Sequence, residues 1–325
     1  MMRAVPLEIS PNAMPDMRAV MERAGGENFP VAARVLSRRH RRHLLAVYGF
    51  ARLTDELGDE IAGDRLAALD WLEGELDRVY AGNARHPLLV RLQGTLAECA
   101  LPRAAFVRLI DANRLDQHVS SYRTWEQLRA YCELSANPVG ELVLGVFGLA
   151  SAERIALSDN VCTALQLAEH LQDVAEDARR GRVYLPEEDL LRFGCSQQQL
   201  ASLVSRGGVD LDLKHVQAGS STPDENLQRS ADRLRETISF ETARARELLA
   251  AGAPLLAGIG GRPKLAVGAF VAGGHVALDG IERAGFEVIG THPPTNQPTN
   301  PPGVPRASRL RRLRALASVL AGSRA

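Results

Sequence analysis

The sequence predicts an all-α protein, a large helical bundle, and three observations predict it. Apolar residues recur at helical spacing through most of the chain, alternating Val/Ile/Thr runs bounded by turns are absent, and 45% of the 325 residues are hydrophobic, enough for a sizeable core. Leu44, Val47, Tyr48, Ala51 and then Leu57 or Ile61 form one stripe. Leu66, Leu69, Leu72, Leu76 and Val79 form the next. Breaks are expected at Gly82–Pro87, near Pro102, at Ser120–Thr124, at Ser151, at Gly181–Pro186 and over Gly207–Asp224, where glycine, proline and small polar residues interrupt the period.

Residues 1–15 read as a flexible arm and residues 16–290 as one catalytic-sized helical domain. Residues 291–305 are a proline-rich linker, and residues 306–325 a basic amphipathic tail. In the tail, Leu310, Leu313, Leu316 and Leu320 fall to one side, with Arg309, Arg311, Arg312 and Arg314 over the rest. Such a helix suits an anionic membrane surface. Formal net charge is zero, which argues against a nucleic-acid partner. The balance hides an asymmetry, since six arginines and no acid follow Thr291. Cys99, Cys132, Cys162 and Cys195 form no metal-type pair, and the opening MMRAVPLEISPNAMP is no signal stretch. No run reaches the roughly 18 apolar residues of a spanning helix. The expectation is a cytoplasmic protein, peripheral at most on the inner face of the plasma membrane.

The chemistry-bearing signal is a pair of acidic clusters. In YGFARLTDELGDE, Asp55 and Asp59 stand four apart, one turn along a helix, with Glu56 and Glu60 beside them and Arg52 three residues ahead. In QLAEHLQDVAEDARRGRVYLP, Glu169, Asp173 and Asp177 share one stripe that Gln166 extends. Arg179, Arg180, Arg182 and Tyr184 follow. Like charges at this spacing destabilise a helix unless a cation sits between them. Carboxylate oxygens suit Mg2+, which takes one or two carboxylates together with phosphate oxygens and water. Two such stripes, with arginines nearby for paired donation to phosphate, point to a diphosphate that must leave. A cation left behind needs an apolar enclosure. No glycine fingerprint follows a strand, so NADPH is not expected. His43, His170 and His275 have no metal-type spacing and are expected to be structural.

The first motif, Tyr48, Arg52, Asp55 and Asp59, and the second, Gln166, Asp173, Asp177 and Gly181 to Pro186, resemble those of the squalene/phytoene synthase family. The resemblance runs from about Glu27 to Ile289. YCELSANPVGELVL resembles the family's central helix, with Tyr131 and the small residues around Val139 and Gly140 lining the cavity. AVGAFVAGGHVALDGIERAGFEV resembles its closing helix. The resemblance implies an isoprenoid-synthase type helical bundle with a central apolar cavity and Mg2+ held by Asp55, Asp59, Glu169, Asp173 and Asp177. It further implies substrate contacts from Tyr48, Arg52, Tyr131, Gln166, Gln172, Arg182 and Tyr184, and more loosely from Arg42 and Asn28. Two departures matter: Glu169 stands for the family's asparagine, and Gln172 for its arginine. With ENFPVAARVL and SANPVG they resemble the bacterial hopanoid-pathway hydroxysqualene synthases. That subgroup implies presqualene diphosphate as substrate and water as the quencher. Farnesyl diphosphate, coupled head to head, is the alternative, and a catalytically silent lipid-binding or assembly factor is the reading from another class.

Overall fold

The computed structural model describes residues 36–206, 223–289 and 309–320. The arm over 1–15, Asn28, the linker over 291–305 and most of the break over 207–224 lie outside the described residues. In chain order the helices are α1 (Arg38–Asp55), α2 (Arg65–Tyr80), α3 (Pro87–Leu96), α4 (Arg103–Leu115), α5 (Trp125–Ser135), α6 (Asn137–Val146), α7 (Ala152–Arg179), α8 (Glu187–Arg192), α9 (Gln197–Arg206), α10 (Pro223–Gly252), α11 (Pro254–Ala257), α12 (Gly261–Arg283) and α13 (Arg309–Leu320). A five-residue π-helical turn, Glu56–Glu60, continues α1. Among the described residues the only strand-like feature is an isolated bridge between Ser121 and Val183. The all-α expectation holds.

The chain divides into two compact units. The first takes the residues up to Val119 together with Glu133–Asp159 and Pro254–Phe270. Its core joins Leu44, Val47, Phe50, Leu53 and Leu57 to Leu69, Leu72 and Leu76 of α2, to Leu88, Leu89 and Leu92 of α3, and to Phe106 and Ile110 of α4. Phe50 and Phe106 meet edge to face at 4.9 Å, the geometry that aromatic quadrupoles favour. The α1 stripe is therefore Leu44, Val47, Phe50, Leu53 and Leu57, with Tyr48 and Ala51 only half-buried at its margin. Leu66, expected in the second stripe, is exposed. Ser37 caps α1 by accepting the His40 N–H, and Asp64 caps α2 by accepting that of Ala67, satisfying donors that have no partner within the helix.

The second unit takes Ser120–Cys132, Asn160–Ala253 and Val271 onward. At its centre Arg244 of α10 pairs with Asp189 of α8 and with Glu241, while its guanidinium lies 4.6 Å from the Trp125 ring centroid. Burial pushes the Glu241 carboxyl well above the usual range, with Arg244 opposing and Asp189 assisting.

Three expectations change. YCELSANPVGELVL is not one helix: α5 ends at Ser135 and α6 starts at Asn137. Pro138 has no N–H and its ring excludes the preceding turn, so it is tolerated in the first turn of a new helix and not inside an old one. The helix expected through Leu57 or Ile61 changes to the π-helical turn after Asp55. The stretch around Leu265–Ile281 is part of a 23-residue helix long and apolar enough to cross a bilayer by composition. Ala266, Val271, Leu278 and Ile281 along it are buried in protein, as in the core helix of a globular domain.

Candidate functional site

The first acidic pair sits where α1 opens into the π-helical turn. Asp55 is the last α-helical residue, and Asp59 lies within the turn that the Ile61 N–H closes onto the Glu56 carbonyl at 3.2 Å. Such turns interrupt helices at functional positions. Gly58 makes this one possible, because a Cβ there would lie 2.0 Å from Asn113 Oδ1. Asn113 of α4 fills that space and donates to Asp55 Oδ1 at 3.4 Å and to the Leu109 carbonyl at 3.2 Å. Gln117 Nε2 donates to the Gly58 carbonyl at 2.9 Å, and Arg65 Nη2 to the Asp59 carbonyl at 2.7 Å. Arg52 Nη1 is 4.0 Å from Asp55 Oδ2, and the Asp55 side chain is 51% exposed. The Arg52 Nε is buried without a hydrogen-bond partner among the described residues, a donor suited to an anion. Tyr48 is half-buried one turn earlier. Arg42, by contrast, pairs with Glu98, as do Arg39 and the buried His43.

The second pair lies on α7 and is drier. Asp173 and Asp177 are half-buried while Glu169 is exposed. Burial, then the Glu176 charge, raise the Asp173 carboxyl, against Arg180. Burial, then Asp173 and Glu176, raise Asp177 to about 7, against Arg180 and Arg182. Glu176, which the expected set omits, acts on both acids: it is the like-charged neighbour of Asp173 and follows Asp173 itself in raising Asp177. It in turn pairs with Arg180 at 2.8 Å. Gln172 is half-buried on the same helix.

The glycine after α7 stops the helix at this point. Gly181 has φ +77°, a conformation open to glycine at little cost. Its N–H reaches the Ala178 carbonyl at 3.1 Å, and the Arg182 N–H reaches the Asp177 carbonyl at 2.8 Å. This is a Schellman closure, and it turns the Arg182 backbone onto the carbonyl of the acid that the side chain serves. Val183 N–H then binds the Ser120 carbonyl at 2.7 Å, and Tyr184 swings back. Tyr131 and Tyr184, both expected, lie 5.6 Å apart between ring centroids. Two further rings join them. Tyr122 is 5.4 Å from Tyr131 and 5.9 Å from Tyr184, and His170 stacks on Tyr184 at 4.0 Å. Tyr122 carries no motif that marks it. His170 carries one: Gln166, His170, Asp173 and Asp177 repeat the four–three–four spacing of Tyr48, Arg52, Asp55 and Asp59. Burial holds the His170 imidazole neutral, its pKa lowered to about 3.

Among the described residues, no three His, Cys, Asp or Glu side chains converge to enclose a metal ion. The donor set still fits Mg2+, which binds through one or two carboxylates when phosphates and water complete its octahedron. Each pair supplies that number. Burial first, and then the Asp173 and Glu176 charges, penalise the ionised form of Asp177, a penalty that a divalent cation would offset.

These features define an all-α fold of the isoprenoid-synthase class, and comparison with solved structures agrees. Squalene synthase HpnC from Alicyclobacillus acidocaldarius aligns with TM-score 0.70 and 39% identity over 85% of this chain and 98% of that one. A dehydrosqualene synthase in complex with ligand, at 21% identity, shares the fold with TM-score 0.73 over 94% and 95% of the two chains. The squalene/phytoene synthase family model matches residues 22–299. Hydroxysqualene synthase from Rhodopseudomonas palustris is 34% identical over 237 residues, 72% of this chain and 71% of its own. Presqualene diphosphate synthase from the same organism is 35% identical over 186 residues, 56% and 66% of the two chains. The chain belongs to the squalene/phytoene synthase family, whose members are prenyl-diphosphate-processing enzymes.

Proposed function

We propose that the chain is a Mg2+-dependent hydroxysqualene synthase that ionises presqualene diphosphate and lets water capture the rearranged cation. One observation carries the proposal: a half-buried carboxylate pair on α7 whose helix is stopped so that the Arg182 N–H closes onto the Asp177 carbonyl. The pair Asp55 and Asp59, and the pair Asp173 and Asp177 with Glu169 on the same helix, would hold Mg2+, which when bound neutralises the diphosphate and makes it a better leaving group. Metal dependence is general in the family. Arg52 and Arg182 donate to phosphate oxygens and hold the leaving group. Tyr131 and Tyr184 turn aromatic faces towards positive charge. The carbocation would need an apolar enclosure that keeps bulk water from it. Water adds its oxygen to the cation and loses one proton, giving hydroxysqualene and diphosphate, with no reductant required. The similarity to a hydroxysqualene synthase over most of both chains supports this step.

Similarity to a presqualene diphosphate synthase supports a second reading, the coupling of two farnesyl diphosphates. Purified protein with Mg2+ and either substrate, without NADPH, separates the readings. Hydroxysqualene from presqualene diphosphate alone is the expected result. A coupled diphosphate from farnesyl diphosphate replaces it with the second reading, and no turnover of either leaves a lipid-binding or assembly factor. Membrane contact belongs to the same proposal. Ala315 and Val319 of α13 are buried, so the protein covers one face of a segment in which six arginines and no acid follow Thr291. A cytoplasmic protein held at an anionic inner membrane face would use the remainder. Truncation after Gly290 should weaken binding to anionic liposomes, and unchanged binding removes this part.

A further inference from the structure

The ring cluster of the second unit contains two members that the proposed chemistry leaves idle, Tyr122 and His170, and the second carries a further contact. His170 is buried on α7, one turn before Asp173. Its ring lies flat on that of Tyr184, centroids 4.0 Å apart and planes 9° apart. Along the helix, Gln166 Nε2 donates to His170 Nε2 at 3.2 Å, so the imidazole is held edge-on by one residue and face-on by another. Tyr184 belongs to the segment that leaves α7 at Gly181. The other ties of that segment to Asp177, Ala178 and Ser120 are backbone hydrogen bonds. They set the path of the chain but not the plane of the Tyr184 ring; the flat stack on His170 is the tightest contact on that plane, with the Tyr131 and Tyr122 centroids farther off at 5.6 and 5.9 Å. Only an aromatic with an acceptor nitrogen meets both requirements. Phenylalanine would give the plate without the acceptor, and leucine would give neither.

We propose that His170 is a positioning residue, the plate on which Tyr184 rests so that the Gly181–Pro186 turn presents Arg182 to a diphosphate at the Asp173–Asp177 face. This rests on the reading of that face as a diphosphate site. The test uses the full-length chain as wild type, His170→Leu, His170→Phe and Arg182→Ala, with binding of inorganic diphosphate in the presence of Mg2+ followed by titration calorimetry. His170→Leu should weaken diphosphate binding about tenfold and dim the near-ultraviolet tyrosine dichroism. His170→Phe should recover binding to within about threefold of wild type. Because His170 acts through Arg182, the double variant His170→Leu with Arg182→Ala should bind no more weakly than Arg182→Ala alone. Wild-type binding in His170→Leu, a folded His170→Phe that recovers nothing, additive effects in the double variant, or a wild type that binds no Mg2+-diphosphate each overturns the proposal. If this pattern appears while the wild type turns over neither prenyl diphosphate, positioning stands and the proposed function falls.

Discussion

The two acidic pairs share a spacing and differ in almost everything else. Tyr48, Arg52, Asp55 and Asp59 end on a widened turn, and Asp55 is half in solvent with a neutral amide from Asn113 and a loose arginine beside it. Gln166, His170, Asp173 and Asp177 lie on an uninterrupted helix, His170 buried and the other three half-buried, with a neutral imidazole where the first pair has a guanidinium. Burial raises the second pair of carboxyls. One sequence pattern is thus built once as a wet pair steered by hydrogen bonds and once as a dry pair under electrostatic tension. Environment sets the charge state, not spacing. The dry pair has the most to gain from a divalent cation.

Alanine at either pair is the largest expected effect. Asp55→Ala and Asp173→Ala should each lower turnover of presqualene diphosphate by about a thousandfold, with the helical dichroism retained. Near-normal turnover in both would remove the metal-site assignment. The comparison is sharper in binding: magnesium affinity measured by calorimetry without substrate should fall further for Asp173→Ala than for Asp55→Ala, and the reverse order would break it.

Next in size is Gly58→Ala. The added methyl overlaps Asn113 in a packed position, so either the Asn113 side chain or the π-helical turn must shift, at a cost of about 1–3 kcal/mol in unfolding free energy. The α7 pair lies on another helix in the second unit, so the magnesium affinity contributed by Asp173 should survive. Urea unfolding and calorimetry on one preparation test both halves.

Much of this is legible in the sequence, and what is not has physical reasons. Helical period exposes the all-α fold, and the i, i+4 acids expose the candidate site, because both are local and repeat along one element. The π-helical turn is not legible: Gly58 reads as a weak helix residue until Asn113, 55 positions away, fills the space a side chain would need. Leu66 fits the apolar stripe by spacing yet is exposed, since period gives a direction and not the presence of a neighbour. Pro138 is visible, but the apolar residues on both sides of it hide the break between α5 and α6. Tyr122 joins the aromatic cluster only through tertiary packing. His170 lacks metal-type spacing and so reads as structural, although its spacing to Gln166 and Asp173 places it on the site face.

The tension in the dry pair has a sign that can be checked. The Asp177 carboxyl titrates near 7 in the folded chain, against about 3.9 for an ordinary aspartate. Between those values the folded state holds a proton that the unfolded state has lost, so the contribution of this carboxyl to stability is fully present below about pH 4 and is lost as pH rises towards 7. In metal-free protein, Asp177→Asn should flatten that decline and raise the melting temperature at pH 7 by a few degrees, while abolishing turnover. Asp55→Asn should leave the melting temperature nearly unchanged. A lower melting temperature for Asp177→Asn would mean that the pair is not strained, and the contrast between the two faces would fail.

The smallest expected effect tests the wet pair. Asn113→Ala removes the donor to Asp55 and the bond to the Leu109 carbonyl, a loss of about 1 kcal/mol in stability. Its effect on turnover should be a few-fold, since a 3.4 Å hydrogen bond orients a carboxylate that solvent also reaches. The same substitution empties the space into which the methyl added by Gly58→Ala would intrude. Gly58→Ala should therefore cost much less in the Asn113→Ala background than alone, because the two positions contend for one volume and neighbouring effects do not add. Equal cost in both backgrounds would show that Gly58 is required for backbone conformation instead, and that Asn113 is not what holds the turn open.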